Sequence, residues 1–329
     1  MTEYIRAKSD KKTKEERETG KFYTTNNPFN HKEFIKWYNK AIKDTDIILE
    51  PFAGGNNIPK LIQQTDLKQI KWQGYDINPN NKDIIKQDTI KDFPTGYKTV
   101  ITNPPYLSKS AATQKGLNYP DIKFNNIYKH CLNDMLNNAD YIAVIIPDPF
   151  ITDKQFKERC ETIISLNIPM FDDTNQPACL ALFTPNKTDD FKVYINDMYV
   201  GKYNEVKNNL PKAEKQEWSF TKPTGQIFMK SYDGKRDDER MYFAPNKNQH
   251  KQSRHYFIVN TPLDIKDIKM FTDICNNVLS DIREETKDIF LVARWGLRED
   301  GLYQRQITKE LSRVVLNKAY EIYKENEYE

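Results

Sequence analysis

The sequence predicts a doubly wound, mostly parallel α/β sheet followed by a C-terminal region of mixed α+β structure. Short apolar runs recur along residues 47–102, each is followed closely by a polar side chain, and several intervening segments have helical spacing. A glycine-rich turn links the first run to a helical stretch, as parallel sheets require. From about residue 186 this pattern stops, and Lys, Asn, Asp and Tyr dominate. We therefore predict a charged lead-in over 1–18, a sheet domain over 19–185 and a second domain over 186–329.

The composition indicates a polar but foldable chain. Its 329 residues are 38% hydrophobic and 29% charged, which suffices for two domains that each have a core. No apolar run approaches the roughly 20 residues that cross a bilayer, and the charged N-terminus lacks the apolar core of a signal peptide. We expect a cytoplasmic protein that makes no membrane contact.

Cysteine and histidine usage gives no metal or disulfide pattern. The four cysteines are widely spread without Cys-x-x-Cys spacing, and the four histidines are scattered. We therefore expect no metal site. The formal charge is only +3, so nucleic-acid binding would require local clustering of basic residues.

Residues 47–56 read as a strand, a tight turn and the start of a helix. The strand ends at Glu50, and the turn consists of Pro51, Phe52, Ala53, Gly54 and Gly55. Such a turn brings backbone close to a ligand at the carboxyl edge of a parallel sheet. The glycine spacing differs from Gly-x-Gly-x-x-Gly, and an acidic strand end would repel a pyrophosphate. Glu50 instead suits a cationic group.

The next two apolar runs also end near carboxylates. Asp76 closes a strand about 25 residues after the glycine turn, and in a nucleotide-binding fold an acid at this spacing binds the ribose hydroxyls. Ile77 follows it as an apolar wall. A third short strand leads to Asp88 and Thr89. Lone aspartates after strands are usually caps, but the distance from the turn favours a ribose site at Asp76.

The fourth strand, residues 98–102, runs into Asn103-Pro104-Pro105-Tyr106. Two successive prolines make a stiff bend, because each fixes its own φ and restricts the residue before it. The Asn103 amide oxygen and the Pro104 carbonyl can both accept hydrogen bonds, and Tyr106 offers a flat face. This rim suits a planar amino group.

Together these residues resemble the S-adenosylmethionine-dependent amino-methyltransferases, most of which act on adenine N6. The resemblance covers roughly residues 19–185 and implies the Rossmann-like class I methyltransferase fold. The order of the motifs resembles the gamma arrangement of DNA adenine methyltransferases of restriction–modification systems. It implies S-adenosylmethionine as cofactor, double-stranded DNA as substrate and a cognate restriction endonuclease as a further partner.

The resemblance also implies roles for individual residues. Phe22, Tyr23 and Thr24 would contact the methionine end of the cofactor, although asparagines stand where the family more often has a proline. The residues from Glu50 to Gly55 with Asp76, Ile77, Asp88, Thr89 and Asn103 would complete the cofactor site. Asn103, Pro104, Pro105 and Tyr106 would form the catalytic turn, and Phe171 would pack against the extruded base.

Other segments are assigned from their patterns. Residues 107–119 are predicted to form a mobile loop in which Ser108 and Lys109 either contact phosphates or are simply solvated. Helices are expected over 126–137 and 156–164, and strands over 141–147 and 178–183.

Basic and aromatic residues are interleaved between residues 222 and 254, where Arg236 and Arg240 are candidate DNA contacts. A second candidate patch comprises Arg294, Arg298 and Arg305 around Trp295-Gly296. Acidic residues sit among these cations, and mixed charge more often marks a solvated surface.

Three alternatives stay open at this point. The same turn serves enzymes that methylate RNA adenines or a protein glutamine amide. Cytosine N4 is also a candidate target, although a serine at the position of Asn103 is commoner there. A non-enzymatic DNA-binding protein that keeps a methyltransferase fold is the third.

Overall fold

The computed structural model of the chain describes residues 27–171, 174–220, 225–247 and 255–327. The expected lead-in over 1–18 and the predicted cofactor residues Phe22, Tyr23 and Thr24 lie outside these ranges. The chain divides into two compact units, Met1–Gly201 and Lys202–Glu329. Each has a hydrophobic core.

The described residues of the first unit form four helices and nine strands. Its helices are α1 (Lys32–Ala41), α2 (Asn57–Gln63), α3 (Lys109–Lys115) and α4 (Ile127–Asn138), with short 3-10 turns at Pro28–Asn30 and Asp148–Thr152. Its strands are β1 (Ile47–Glu50), β2 (Lys71–Asp76), β3 (Ile84–Lys86), β4 (Thr99–Thr102), β5 (Tyr141–Pro147), β6 (Cys160–Leu166), β7 (Ala178–Phe183), β8 (Lys192–Ile195) and β9 (Met198–Lys202).

These strands form one nine-stranded sheet in the order β3-β2-β1-β4-β5-β7-β6-β8-β9. The five strands from β3 to β5 in this order run parallel to their neighbours. β7 is antiparallel to both β5 and β6, and β6 is parallel to β8. The arrangement confirms the predicted doubly wound, mostly parallel fold. It is the Rossmann-like sheet that the resemblance to class I methyltransferases implies.

The core lies against the central strands. β4, β5 and β7 are buried along almost their whole length because both faces of a central strand are covered. Helix α1 buries Phe34, Trp37 and Tyr38 against the sheet. The Trp37 indole N–H donates to the Phe183 carbonyl at 2.8 Å, which fixes α1 beside β7.

The helix predicted over 156–164 is wrong. Strand β6 lies there and pairs with β7 from Cys160↔Phe183 to Leu166↔Ala178. Phe156, Cys160 and Ile164 recur every fourth residue, which imitates a helical stripe. Three consecutive β-branched residues, 162–164, and pairing with β7 favour the strand instead.

Two further expectations need adjustment. The segment 107–119 contains helix α3, which Ser108 caps by accepting from the Ala111 N–H and which Gly116 ends with φ +66°. The first unit also extends to Gly201, beyond the expected boundary at residue 185, because β8 and β9 belong to its sheet.

The second unit is a mixture of helices and antiparallel strands, as predicted. Its helices are α5 (Tyr203–Asn208), α6 (Ile268–Thr286) and α7 (Lys309–Glu327). A three-stranded sheet in the order β11-β10-β12 comprises β10 (Ile227–Lys230), β11 (Tyr242–Pro245) and β12 (Tyr256–Val259), and a hairpin pairs β13 (Val292–Leu297) with β14 (Tyr303–Gln306). None of the helices within the described ranges has the length and apolar character required to traverse a bilayer.

Candidate active site

Four neighbouring strand ends bring the predicted site residues to one edge of the sheet. β3, β2, β1 and β4 are adjacent and parallel, with Glu50 opposite Gly74 and Asp76 opposite Lys86. Because parallel strands end at a common edge, the residues that follow them face the same side. The structure therefore brings Glu50, Asp76 and Asn103 together.

The glycine turn connects two of these strand ends. Gly54 has φ +49°, a conformation that glycine adopts without strain. Its N–H donates to the Asp76 carboxylate at 3.0 Å, and the Ala53 N–H donates to the Tyr75 carbonyl at 2.8 Å. The turn after β1 is thereby held against the end of β2.

Glu50 is a buried carboxylate with few hydrogen bonds to compensate for its lost solvation. The Thr102 hydroxyl donates to Oε1 at 2.5 Å, whereas Oε2 is buried and has no hydrogen-bond partner. Burial raises the pKa of Glu50 to about 8, and the nearby Asp76 carboxylate adds to this increase. The Thr102 hydroxyl and the Phe52 N–H act in the opposite direction. A buried acceptor without a donor fits a site that receives a cationic or N–H group from a ligand.

The Asp76 carboxylate also accepts from the Asn78 N–H at 2.8 Å, so its position is fixed from two sides. A carboxylate has about four acceptor sites, so this geometry leaves capacity for ligand hydroxyls. Ile77, next to it, is 44% exposed, which is high for a large apolar side chain and fits a ligand wall.

The end of β3 contributes Asp88 and Thr89. Asp88 lies near the surface with Lys91 at 3.1 Å. Thr89 is buried, and its hydroxyl donates to the Pro51 carbonyl at 2.8 Å, which ties this loop to the start of the glycine turn.

The Asn103–Tyr106 turn is anchored through its last residue. The Tyr106 hydroxyl lies 2.6 Å from Asn103 Oδ1 and 2.8 Å from the Ile145 carbonyl on β5. Burial raises the pKa of Tyr106 well above its usual range, so this hydroxyl remains a donor. The hydroxyl proton of Tyr106 is shared between Asn103 Oδ1 and the Ile145 carbonyl. The amide oxygen of Asn103 thus faces the Tyr106 hydroxyl in this structure.

Aromatic rings surround Tyr106. The Phe171 ring lies 6.2 Å from it at 71°, and the Tyr128 ring lies 6.5 Å from it at 82°. Edge-to-face pairs of this kind are favourable. Phe171 is buried in the core of the first unit, where its ring packs against that of Tyr106.

Ser108 and Lys109 begin helix α3. The Ser108 hydroxyl is used as the helix cap, whereas Lys109 is exposed.

Three of the four arginines predicted to bind substrate form ion pairs within the second unit. These pairs join Arg236 to Asp238 at 3.2 Å, Arg240 to Asp237 at 2.9 Å and Arg298 to Asp300 at 2.8 Å. Arg294 instead lies with its guanidinium 4.8 Å from the centre of the Tyr232 ring. Phosphates would have to compete with carboxylates for the first three.

Sequence reasoning missed two residues at this edge. Thr102 is the last residue of β4, and its position directly before Asn103 was the available signal. Asp148 follows β5, is buried, and accepts from the Ser165 hydroxyl at 2.5 Å. It repeats the pattern of an acid after a strand. Among the described residues, no group of three or more His, Cys, Asp or Glu side chains is placed to hold a metal ion.

Comparison with known proteins gives matches among solved structures alone. No family model and no curated protein matches the chain. The methyltransferase subunit of a type I restriction–modification system from Streptococcus thermophilus is 15% identical, with 60% of this chain and 50% of that chain covered and a TM-score of 0.37. A protein from Listeria monocytogenes classed as a class I S-adenosylmethionine-dependent methyltransferase is 13% identical, with 49% and 62% covered and a TM-score of 0.36.

The M protein of the type I restriction enzyme EcoKI is 14% identical, with 85% of this chain and 66% of that chain covered and a TM-score of 0.35. The chain thus covers less than two thirds of each of these structures, and about half of the first. Identities and TM-scores this low carry no argument about activity. The fold rests on the strand order and register of the sheet.

Proposed function

We propose that this chain is an S-adenosylmethionine-dependent methyltransferase that modifies the N6 amino group of adenine in duplex DNA. Within this proposal it is the modification component of a restriction–modification system and works beside a cognate restriction endonuclease. The observation that carries the proposal is the meeting of Glu50, Asp76 and Asn103 at the carboxyl edge of one parallel sheet.

The residues at the ends of β1 and β2 fit the cofactor. Glu50 offers a buried oxygen without a donor, which suits the ammonium of the methionine end. Asp76, held by Gly54 and Asn78, suits the ribose hydroxyls, and the exposed Ile77 side chain suits the face of the adenine ring. When bound, S-adenosylmethionine supplies an electrophilic methyl group.

The resemblance to the amino-methyltransferases implies three further groups at this cofactor site. Asp88 and Thr89 would lie at its adenine, and residues 22–24 at its methionine end.

The Asn103–Tyr106 turn would hold the amine that is methylated. Asn103 Oδ1 and the Pro104 carbonyl accept from the two amino hydrogens, which orients the nitrogen lone pair towards the methyl group. Positioning of this kind supplies a large share of the acceleration and needs no strong base. The proton that the nitrogen loses passes to water. Tyr106 holds the Asn103 amide through its hydroxyl and offers its ring to the base.

An adenine amine inside duplex DNA is out of reach of any such turn. The base must therefore rotate out of the stack, at a cost of a few kcal/mol that backbone contacts and stacking offset. We assign those contacts to the second unit.

The test is Asn103→Ala, with Asn138→Ala as the matched control. Asn138 is exposed at the end of α4, directly before β5 begins, and so lies at the opposite edge of the sheet. We expect Asn103→Ala to abolish labelled methyl transfer to duplex DNA while calorimetry still detects cofactor binding. Asn138→Ala should retain both.

Three outcomes would contradict the proposal. Substantial turnover by Asn103→Ala would remove that residue from the reaction. Transfer to RNA or to a protein amide, or N4-methylcytosine in digested DNA, would identify a different substrate. No binding of S-adenosylmethionine by the unaltered protein would favour a non-enzymatic role.

A further inference from the structure

The second unit displays an exposed aromatic side chain on a distorted hairpin. Between the pairs Ala293↔Arg305 and Leu297↔Tyr303 the register shifts, with three residues on β13 opposite one on β14. Trp295 lies at the centre of this bulge and is 57% exposed. Bulges re-aim side chains and recur beside functional sites.

The bulge contains a glycine that packs against a side chain of the facing strand. A Cβ atom on Gly296 would lie 2.3 Å from Gln304 Oε1, so the backbone at this position packs directly over the Gln304 side chain. A residue with a side chain would have to displace Gln304.

The residue before Trp295 belongs to a cluster of cations and aromatic rings. The Arg294 guanidinium lies 4.8 Å from the Tyr232 ring centre, and Lys230 Nζ lies 5.3 Å from the same centre. The His255 ring lies 4.8 Å from Tyr232, and its Nδ1 is 3.2 Å from Arg294 Nη1. We call Lys230, Tyr232, His255 and Arg294, together with Trp295 as the next residue of β13, the bulge cluster.

Hydrogen bonds connect the cluster to β14 and to a buried ion pair of the second unit. Tyr232 bridges to Gln306 on β14, and the Asp233 N–H donates to the Arg305 carbonyl at 2.9 Å. Asp233 itself is buried and binds Arg283 through both carboxylate oxygens, at 3.0 and 2.8 Å. Recognition surfaces gain from such support because little must be ordered on binding.

We propose that the bulge cluster is the DNA-contacting surface of the second unit, with Trp295 packing against bases and Arg294 contacting the backbone. The inference rests on the proposed function, because it names where that enzyme holds its duplex. Base–aromatic stacking together with cationic contact is the combination by which proteins hold nucleic acid.

Fluorescence anisotropy with a labelled duplex of mixed sequence tests the assignment on the full chain. We expect Trp295→Ala to weaken binding about tenfold and Trp295→Phe to restore part of it, since stacking of one base on an aromatic ring has about this effect. Arg294→Ala should weaken binding and reduce the slope of log affinity against log salt by about one.

Two controls match these variants. Tyr199 is 49% exposed on strand β9 of the first unit, and Arg313 is an exposed arginine of the second unit whose guanidinium lies 4.9 Å from the centre of the Phe220 ring. Tyr199→Ala and Arg313→Ala should bind the duplex as the unaltered protein does. Unchanged melting temperatures and unchanged calorimetry with S-adenosylmethionine would show that Trp295→Ala and Arg294→Ala remain folded.

Duplex binding by Trp295→Ala and Arg294→Ala equal to that of the unaltered protein would overturn this inference, even if the chain methylates DNA. Weaker binding by Arg313→Ala than by Arg294→Ala would overturn it as well. Conversely, Trp295-dependent duplex binding by a chain that transfers no methyl group would support the surface and refute the proposed activity.

Discussion

Glu50→Gln distinguishes the free-energy cost of burying the Glu50 carboxylate from the role of that carboxylate in ligand binding. The substitution keeps the shape and the acceptor for the Thr102 hydroxyl but removes the charge. Glu50 holds its proton up to a pKa of about 8, because burial opposes ionisation, whereas the same side chain in the unfolded chain ionises near 4.5. Glutamine does not titrate, so every pH-dependent effect of Glu50 should vanish.

The sign of the effect on stability follows from proton counts. Between pH 4.5 and 8 the folded state binds the Glu50 proton and the unfolded state has released it. The free energy of unfolding therefore falls as pH rises through this range, by up to about 5 kcal/mol at 1.36 kcal/mol per tenfold change. Glu50→Gln should lack this fall, and urea unfolding at several pH values measures it.

Ligand binding should reverse the protonation. At pH 7 about nine in ten molecules carry the proton on Glu50 if the pKa is about 8. Pairing with a ligand ammonium favours the ionised form, so binding of S-adenosylmethionine should release close to one proton. Affinity should rise about tenfold per pH unit below about pH 7 and should fall again above about pH 8, where the ligand ammonium loses its own proton.

Calorimetry in buffers with different ionisation enthalpies counts the released protons. Glu50→Gln should release none, whereas Glu161→Gln, which removes a partly exposed carboxylate paired with Lys40, should behave as the unaltered protein. Proton release that persists in Glu50→Gln, or none from the unaltered protein, would refute the reasoning.

Two further predictions concern the anchoring of each unit. Tyr106→Phe removes the hydroxyl that contacts Asn103 and Ile145, so the free energy of unfolding should fall by about 1–2 kcal/mol. Methyl transfer should slow while calorimetric cofactor affinity holds, and unchanged turnover and stability would contradict the anchoring role. Asp233→Ala leaves the guanidinium of Arg283 with half of its carboxylate partners, and urea unfolding should show a loss of about 3–5 kcal/mol. The exposed control Asp238→Ala should lose under about 1 kcal/mol, and equal losses would contradict the importance of burial.

The sequence predicts secondary structure well where the apolar pattern of a single segment decides it. The limits of β5 and β7 agree with the predicted strands 141–147 and 178–183, because uninterrupted apolar runs suit strands covered on both faces. The acids that end β1 and β2 lie at the expected edge because parallel strands end on the same side of a sheet. Strand β6 was mistaken for a helix because its apolar spacing fits either structure and pairing with β7 decides between them.

Interactions between distant residues could not be predicted in the same way. Arg236, Arg240 and Arg298 form a basic pattern in the sequence, but only the fold shows that their charges meet carboxylates. The sequence places Trp295 within a candidate patch, but the exposure of its side chain depends on a register shift between two strands. The bond between Tyr106 and Asn103 likewise requires the turn geometry.

The hydrogen bond from the Gly54 N–H to the Asp76 carboxylate affects the entropy of ligand binding at this edge of the sheet. Two loops that would otherwise have to be ordered by an incoming molecule are already ordered by each other. The entropy of arranging them is lost when the chain folds, so little of it remains to be lost at the moment of association. At these two loops, binding of a ligand then requires desolvation of polar groups and little further ordering of the backbone.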